Sequence, residues 1–333
     1  MKKIFTPLIV MAAAAFFGIA ASCNMCGIDI KTDATAAGTA QQNAGEQTSA
    51  ETVKESVTES ALNDASATSP EDSGANVQES GNGGSMPSSL DLAPVFAIAS
   101  TPGDRLLTFY SDAGDAGLQD IDSATGKSGQ VYEIEYVSWQ EKNENDSGRV
   151  VSSNFDNMEG HIYRVIGGEL IDNKTYYLFD SHVLDQQHIL GLRNPGVANL
   201  DVETLARAAD LKGRQVQEGW VIGEYDDGTR LLIVVFEPNG QNLLMSIVLD
   251  SGGNLKFNDH PATLDGYSAW RVDDGGEINP FVFSVIIAVK TAEGMRMALS
   301  WAGAEGENIL FLAEDGNSFT ELPLDIYRYW SPS

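Results

Sequence analysis

Cys23 and Cys26 sit in the run CNMC, and they are the only two cysteines in the 333 residues. A C-x-x-C pair suits a dithiol or half of a metal site. Structural zinc takes four N or S ligands, and no second cysteine pair exists to supply them. Thiol–disulfide exchange needs a free thiolate, so it turns on the fate of Cys23. Farther along, FDSHVLDQQHIL sets His182 and His188 beside Asp180 and Asp185. Imidazole and carboxylate together suit a metal, although this spacing matches no named motif. The 112–122 loop carries Asp112, Asp115, Asp120 and Asp122, an oxygen-rich set of the kind that holds Ca²⁺. Carboxylates also group at Asp226/Asp227, at Asp273/Asp274/Glu277 and at Glu305/Glu307. Each group could include a glycosidase acid, but solvated turn residues are the reading that carboxylates in such turns favour. His161 and His260 are isolated.

Spacing and charge exclude other chemistries. TGKSG (125–129) has the look of a phosphate loop, but the position that should be its first glycine is Ile121. As an EF-hand, QDIDSATGKSG fails because Thr125 occupies the obligatory glycine position. No G-x-S-x-G occurs, and Ser251 in LDSGG belongs to a hairpin turn. The net charge is −28. Nucleic acid rewards clustered Lys and Arg, so that partner is excluded, and electrostatic docking on anionic lipid with it. Divalent ions or basic proteins are the partners such a charge favours. Among aromatics, Trp139 falls on the glutamate-bearing side of VYEIEYVSW and is the candidate for an exposed ligand-binding ring. Trp301 shares a face with Met and Leu and reads as core.

The amino terminus accounts for the cysteines. Lys2 and Lys3 precede an uncharged, mostly apolar stretch from Ile4 to Ala21, followed by small residues. This is the layout of a secretory signal peptide over 1–22, with a membrane-spanning anchor as the alternative reading. The run Ala20-Ala21-Ser22-Cys23 resembles the lipobox of bacterial lipoproteins, in a relaxed form with Ala20 and Ser22 where the family prefers Leu and Gly or Ala. The resemblance covers only this segment. It implies lipidation at Cys23, whose sulfur then becomes a thioether and leaves thiol chemistry, with Cys26 left as a lone thiol. Asn24, where inner-membrane lipoproteins carry Asp, implies the outer membrane, its periplasmic or surface face unspecified. The protein's first expected partner is thus a membrane, held through the lipid.

Residues 23–90 hold the lipidated Cys and then, from about Thr32, a segment rich in Ala, Ser, Thr, Gly and Glu with no aromatic residue. Such a segment cannot bury enough apolar surface to offset chain entropy, and it reads as a disordered acidic tether. Random-coil scaling gives it a reach of about 45 Å.

The remainder must hold any site. Its texture is all-β or β-rich. VYEIEYVSW (131–139) and MRMALSW (295–301) alternate; RLLIVVFE (230–237) and PFVFSVIIAVK (280–290) are continuous apolar runs that read as central, doubly buried strands. Turn signals at 226–228, 250–254, 273–276 and 314–317 mark hairpins. The helix NLDVETLARAADLKG (199–213) has Asn199 or Asp201 as N-cap and Gly213 as C-cap, with Leu200, Leu205, Ala208 and Leu211 near helical spacing. The expected architecture is antiparallel meanders in two small β domains or halves, 91–195 and 214–333, joined by a helix within 196–213. A single barrel- or propeller-like domain is the alternative. The expected function is a non-catalytic module binding a glycan or an envelope or host protein. An envelope hydrolase with paired carboxylates, or an inhibitor of a basic enzyme, are the alternatives. No cofactor is called for beyond the Ca²⁺ that the 112–122 carboxylates suit.

Overall fold

The computed structural model describes residues 86–88, 92–126, 129–194 and 196–330. Cys23, Cys26, the expected signal segment, nearly all of the expected tether, and Lys127 and Ser128 of TGKSG lie outside the described residues. The described residues group as one compact unit.

Six strands close a barrel: β1 (Val95–Ala99), β2 (Arg105–Ser111), β3 (Ser123–Thr125), β4 (Val131–Gln140), β5 (Gly160–Ile166) and β6 (Thr175–Phe179), in spatial order β1-β2-β5-β4-β3-β6. A single helical turn, α1 (Asp115–Leu118), precedes β3. Closure leaves the barrel no free edge. Its interior is filled by Ala97, Leu106, Ile134, Tyr163, Tyr176 and Leu178 among others. The alternation of VYEIEYVSW holds in β4, where Ile134 is buried and Glu133 and Glu135 face solvent.

Two antiparallel sheets follow. The first runs β12-β11-β10-β9, built from β9 (Val216–Tyr225), β10 (Arg230–Asn239), β11 (Asn242–Ser251) and β12 (Asn254–Thr263). Two short strands, β7 (Leu192–Asn194) and β8 (Ala198–Asn199), both pair with β9. The second sheet runs β13-β14-β15-β16, from β13 (Phe283–Thr291), β14 (Gly294–Ala302), β15 (Gly306–Asp315) and β16 (Ser318–Glu321). The terminal β17 (Tyr327–Tyr329) joins the other half of β15.

The sheets pack face to face through Leu231, Ile233 and Ile247 on one side and Val285, Met297, Leu299 and Leu312 on the other. The outer face of the first sheet is covered by α2 (Val202–Lys212), with Leu200, Ala208 and partly buried Leu205 over Leu232, Val234 and Phe236. The outer face of the second is covered by the barrel, where Phe96, Tyr177 and Phe179 meet Ile287, Ala298, Ile309 and Phe311. The layer order is therefore helix, sheet, sheet, barrel. Each fully buried aliphatic or aromatic side chain contributes about 1.5–3 kcal/mol, so cores of this extent hold the unit together without a disulfide.

Several expectations need correction. The β-rich antiparallel class stands. Asp201, not Asn199, caps α2, accepting the Thr204 N–H at 2.8 Å, and Leu211 is exposed. The turn signal at 273–276 lies in a loop rather than between hairpin strands. There Asp274 accepts N–H groups from Ala269, Trp270, Arg271 and Gly276. MRMALSW is buried on both faces: Met297, Leu299 and Trp301 point into the sandwich, and Ala298 faces the barrel. The apolar run of β13 is doubly buried as expected but is not central. Its burial comes from the layers above and below, while in its own sheet it is an edge.

Candidate functional site: a cleft between barrel and sheet

A concavity of about 750 Å³ opens where the barrel meets β13. Tyr132 of β4, Tyr176 of β6 and the connecting residues Ile171 and Lys174 line it from the barrel. Phe281–Ile286, Ala302 and Trp330 line it from the sheet. Phe281 is 76% exposed and Ile171 61%, so the rim presents apolar surface to solvent. Isolated exposed apolar groups are ordinary, but convergence on one pocket is the pattern of a binding site.

The inner part of the lining is polar and closed on itself. Ser300 on β14 and Thr175 on β6 donate their hydroxyls to the two carboxylate oxygens of Glu307 on β15. Arg328 on β17 places Nη1 3.3 Å from the same carboxylate and donates to Thr175 Oγ1 at 3.3 Å, to Asn173 Oδ1 at 2.7 Å and, through Nε, to the Val150 carbonyl at 2.9 Å. Burial pulls the Arg328 pKa down, and Glu307 beside it opposes that pull. The cluster links barrel to sheet, because Thr175, Asn173 and Val150 come from one and Ser300, Glu307 and Arg328 from the other. The local backbone allows it: a Cβ on Gly306 would stand 2.4 Å from the Arg328 carbonyl oxygen, so glycine lets β17 approach β15. Glu307 is the cleft's one carboxylate among its described lining residues, and both its oxygens are engaged. The cleft therefore offers apolar contact, hydroxyls, peptide groups and the exposed Lys174 side chain, but among its described lining residues not the two carboxyl groups that glycoside hydrolysis uses.

A smaller cavity of about 260 Å³ lies on the other face of the same strand, lined by Leu192, Gly196, Val197, Ile222, Phe281 and Phe283–Val285. Leu192, Ile222, Phe283 and Val285 place it at a corner of the sandwich core.

The residues singled out from sequence fall elsewhere. Trp139 is 45% exposed at the end of β4, with its indole N–H on Glu141 Oε1 at 2.9 Å and its ring edge-to-face with His161 at 4.8 Å. It does not line the cleft. Of the four loop carboxylates, Asp122 joins Asp180 and His182 in a group whose ligand atoms lie within 4.8 Å of one another. Asp112 and Asp120 stand outside that group, and the Asp115 side chain is outside the described residues. Asp122 accepts the Ser181 N–H and hydroxyl at 2.9 and 2.6 Å, and Asp180 accepts the His182 N–H at 2.8 Å, with His182 Nδ1 2.9 Å from the same oxygen. The fold thus brings together residues from the two stretches that sequence had treated as separate metal candidates. Ca²⁺ takes six to eight oxygen ligands, and an imidazole with two carboxylates is closer to a transition-metal set. The carboxylate groups separate as well: Asp227 bonds Lys290 at 2.7 Å and Thr229, Asp274 ties its loop, and Glu305 is exposed while Glu307 is buried.

The cleft itself escaped sequence reading. Glu307, Arg328, Thr175 and Ser300 are scattered over 153 positions and follow no motif. No helix among the described residues is long and apolar enough to cross a membrane. No family model, curated protein or solved structure matches the chain.

Proposed function

We propose that this is a lipid-anchored protein of the bacterial cell envelope whose β-rich unit is a binding module, with the cleft between barrel and β13 as its binding surface. The anchor rests on the lipobox-like Ala20-Ala21-Ser22-Cys23. The observation that carries the binding reading is the pairing of an apolar rim with an interior whose charges are already matched to each other. Phe281, Ile171, Tyr132 and Trp330 offer contact area. Both oxygens of Glu307 are already engaged, by Ser300 on one side and by Thr175 and Arg328 on the other. That favours binding over hydrolysis by paired carboxylates.

The test is a screen of the full-length chain, by tryptophan fluorescence and thermal shift, against peptidoglycan fragments, oligosaccharides and peptides. Any ligand found is retested on Phe281→Ser and Ile171→Ser, both exposed enough to leave folding intact. Binding at least tenfold weaker in these variants supports the reading. A ligand indifferent to both but lost on Trp139→Ala moves the site to the end of β4 and overturns it.

A further inference from the structure

The second sheet ends in an incomplete ladder. β13 pairs β14 along one side from Phe283 to Thr291, with a bulge at Ile286. On its other side, among the described residues, only the segment at 189–190 reaches it: Ile189 stands opposite Val289, and the Leu190 N–H donates to the Ala288 carbonyl at 2.9 Å. The chain then leaves. At Leu192 it has crossed to the first sheet, where β7 pairs β9. Had the segment continued straight, it would have run antiparallel past Val285 and Phe283. Among the described residues that half of the edge is left open, and both cavities lie along it. Residues Phe283–Val285 line the large cleft on the barrel side and the small cavity on the sandwich side.

An exposed edge is a template for another strand. Successive side chains of a strand point to opposite faces. A strand laid on Phe283–Val285 would therefore send alternate side chains into the large cleft and the ones between into the small cavity. Both cavities have mainly apolar walls, and their volumes differ about threefold, so the two sets of side chains would be large and small respectively. Antiparallel alternation gives the register. The two-residue turn after Thr291 makes Thr291, Val289 and Ile287 hydrogen-bond toward β14, and the bulge shifts the outward peptide groups to Val285 and Phe283. The charge of −28 selects against acidic partners and steers basic ones.

Resting on the binding reading above, we propose that the ligand class is an extended polypeptide captured by strand addition to the free half of β13. Bulky apolar side chains at every second position enter the large cleft, small ones between them enter the 260 Å³ cavity, and basic residues flank the strand. The mode is main-chain hydrogen bonding for affinity with pockets for selectivity.

The experiment selects peptides from a displayed library on the full-length chain, then remakes the best binder with a single N-methyl group at each backbone nitrogen in turn. The expected result is a period of two: methylation at alternate residues weakens binding at least tenfold, and methylation between them does not. Val285→Pro, which removes one outward N–H, should abolish capture. Should that variant fold poorly, the methylation pattern decides alone. A peptide that needs Phe281 yet shows no alternation overturns strand addition while leaving the cleft reading intact. The same holds if only a glycan binds there. Ligands that ignore both Phe281→Ser and Ile171→Ser overturn both. Concentration-dependent dimerisation that Val285→Pro removes, with no peptide selected, would show that a second copy occupies the edge and would overturn the peptide.

Discussion

Arg328 stands directly across from Glu307 in the β15–β17 ladder, and the two side chains meet at 3.3 Å in a setting that is almost wholly buried. Neither charge could remain there alone. A buried ion pair is a weak source of net stability, but losing one partner strands the other. Arg328→Met should therefore destabilise the protein by about 3–5 kcal/mol. The double variant Arg328→Met with Glu307→Leu should recover part of that loss. Urea unfolding of the four proteins in the cycle checks it; strict additivity would mean the pair does not act as a pair.

Ser300 and Thr175 are the hydroxyl partners of Glu307. Ser300→Ala leaves one carboxylate oxygen short of a donor and should cost about 1–3 kcal/mol. Thr175→Val should cost a similar amount, because that hydroxyl also accepts from Arg328. Denaturant midpoints at constant m-value measure both.

Gly306→Ala tests the approach of β17. The added Cβ would meet the Arg328 carbonyl oxygen at 2.4 Å and the Tyr327 hydroxyl at 2.5 Å. Since one of these is backbone, the strand itself must shift. The expected outcome is a loss of about 1–3 kcal/mol, the range for overpacking. A change in Trp330 fluorescence is expected with it, because Trp330 follows β17 and stacks under the Arg328 guanidinium at 5.2 Å.

The Asp201 cap gives an acid-side prediction. Thr204, through its backbone N–H and then its hydroxyl, and Arg230 after it, hold the Asp201 carboxyl down at about 2. A depressed carboxylate contributes stability that is present above its unfolded pKa, near 4, and is lost as pH falls toward about 2. Asp201→Asn keeps the cap without the titration and should flatten that part of the stability–pH curve. Asp201→Ala should cost about 1 kcal/mol at neutral pH.

His260 acts at milder pH. Burial lowers its pKa, with Asp259 opposing, and its ring meets Trp301 edge-to-face at 5.6 Å. A lowered histidine pKa makes folding resist protonation, so stability present above about 6.5 is lost as pH falls below it. His260→Phe, which keeps the ring contact, should remove that slope between pH 6.5 and 5 in thermal unfolding. An unchanged slope would place the effect on other groups.

Cys23→Ser tests the anchor. The expected outcome is loss of lipid incorporation and a shift of the protein from the membrane to the soluble envelope fraction. Retention in the membrane at wild-type level would favour the apolar stretch Ile4–Ala21 as a spanning anchor.

Local patterns were legible wherever one interaction range set them. The period-two alternation of β4, the doubly apolar runs of β10 and β13, and the Gly213 cap of α2 follow from residue type and spacing, because backbone geometry alone decides which side chains share a face; at the other end of α2 only the structure chose Asp201 over Asn199. The expectation of a signal segment and of lipidation at Cys23 rests on local composition too. The cleft was not legible. Its polar cluster joins Thr175, Ser300, Glu307 and Arg328, which only the docking of barrel on sheet brings together. Nor could a doubly apolar run reveal that β13 is an edge. Burial by layers above and below leaves the same trace in sequence as burial between lateral neighbours, and among the described residues it is the crossing of the chain between Leu190 and Leu192 that leaves half of that strand open. Sequence thus determined the strands, their faces and the expectation of an anchor. Tertiary structure alone decided which edges meet and where a surface remains unfilled, because pairing between distant segments depends on the whole packing and on no single stretch of residues.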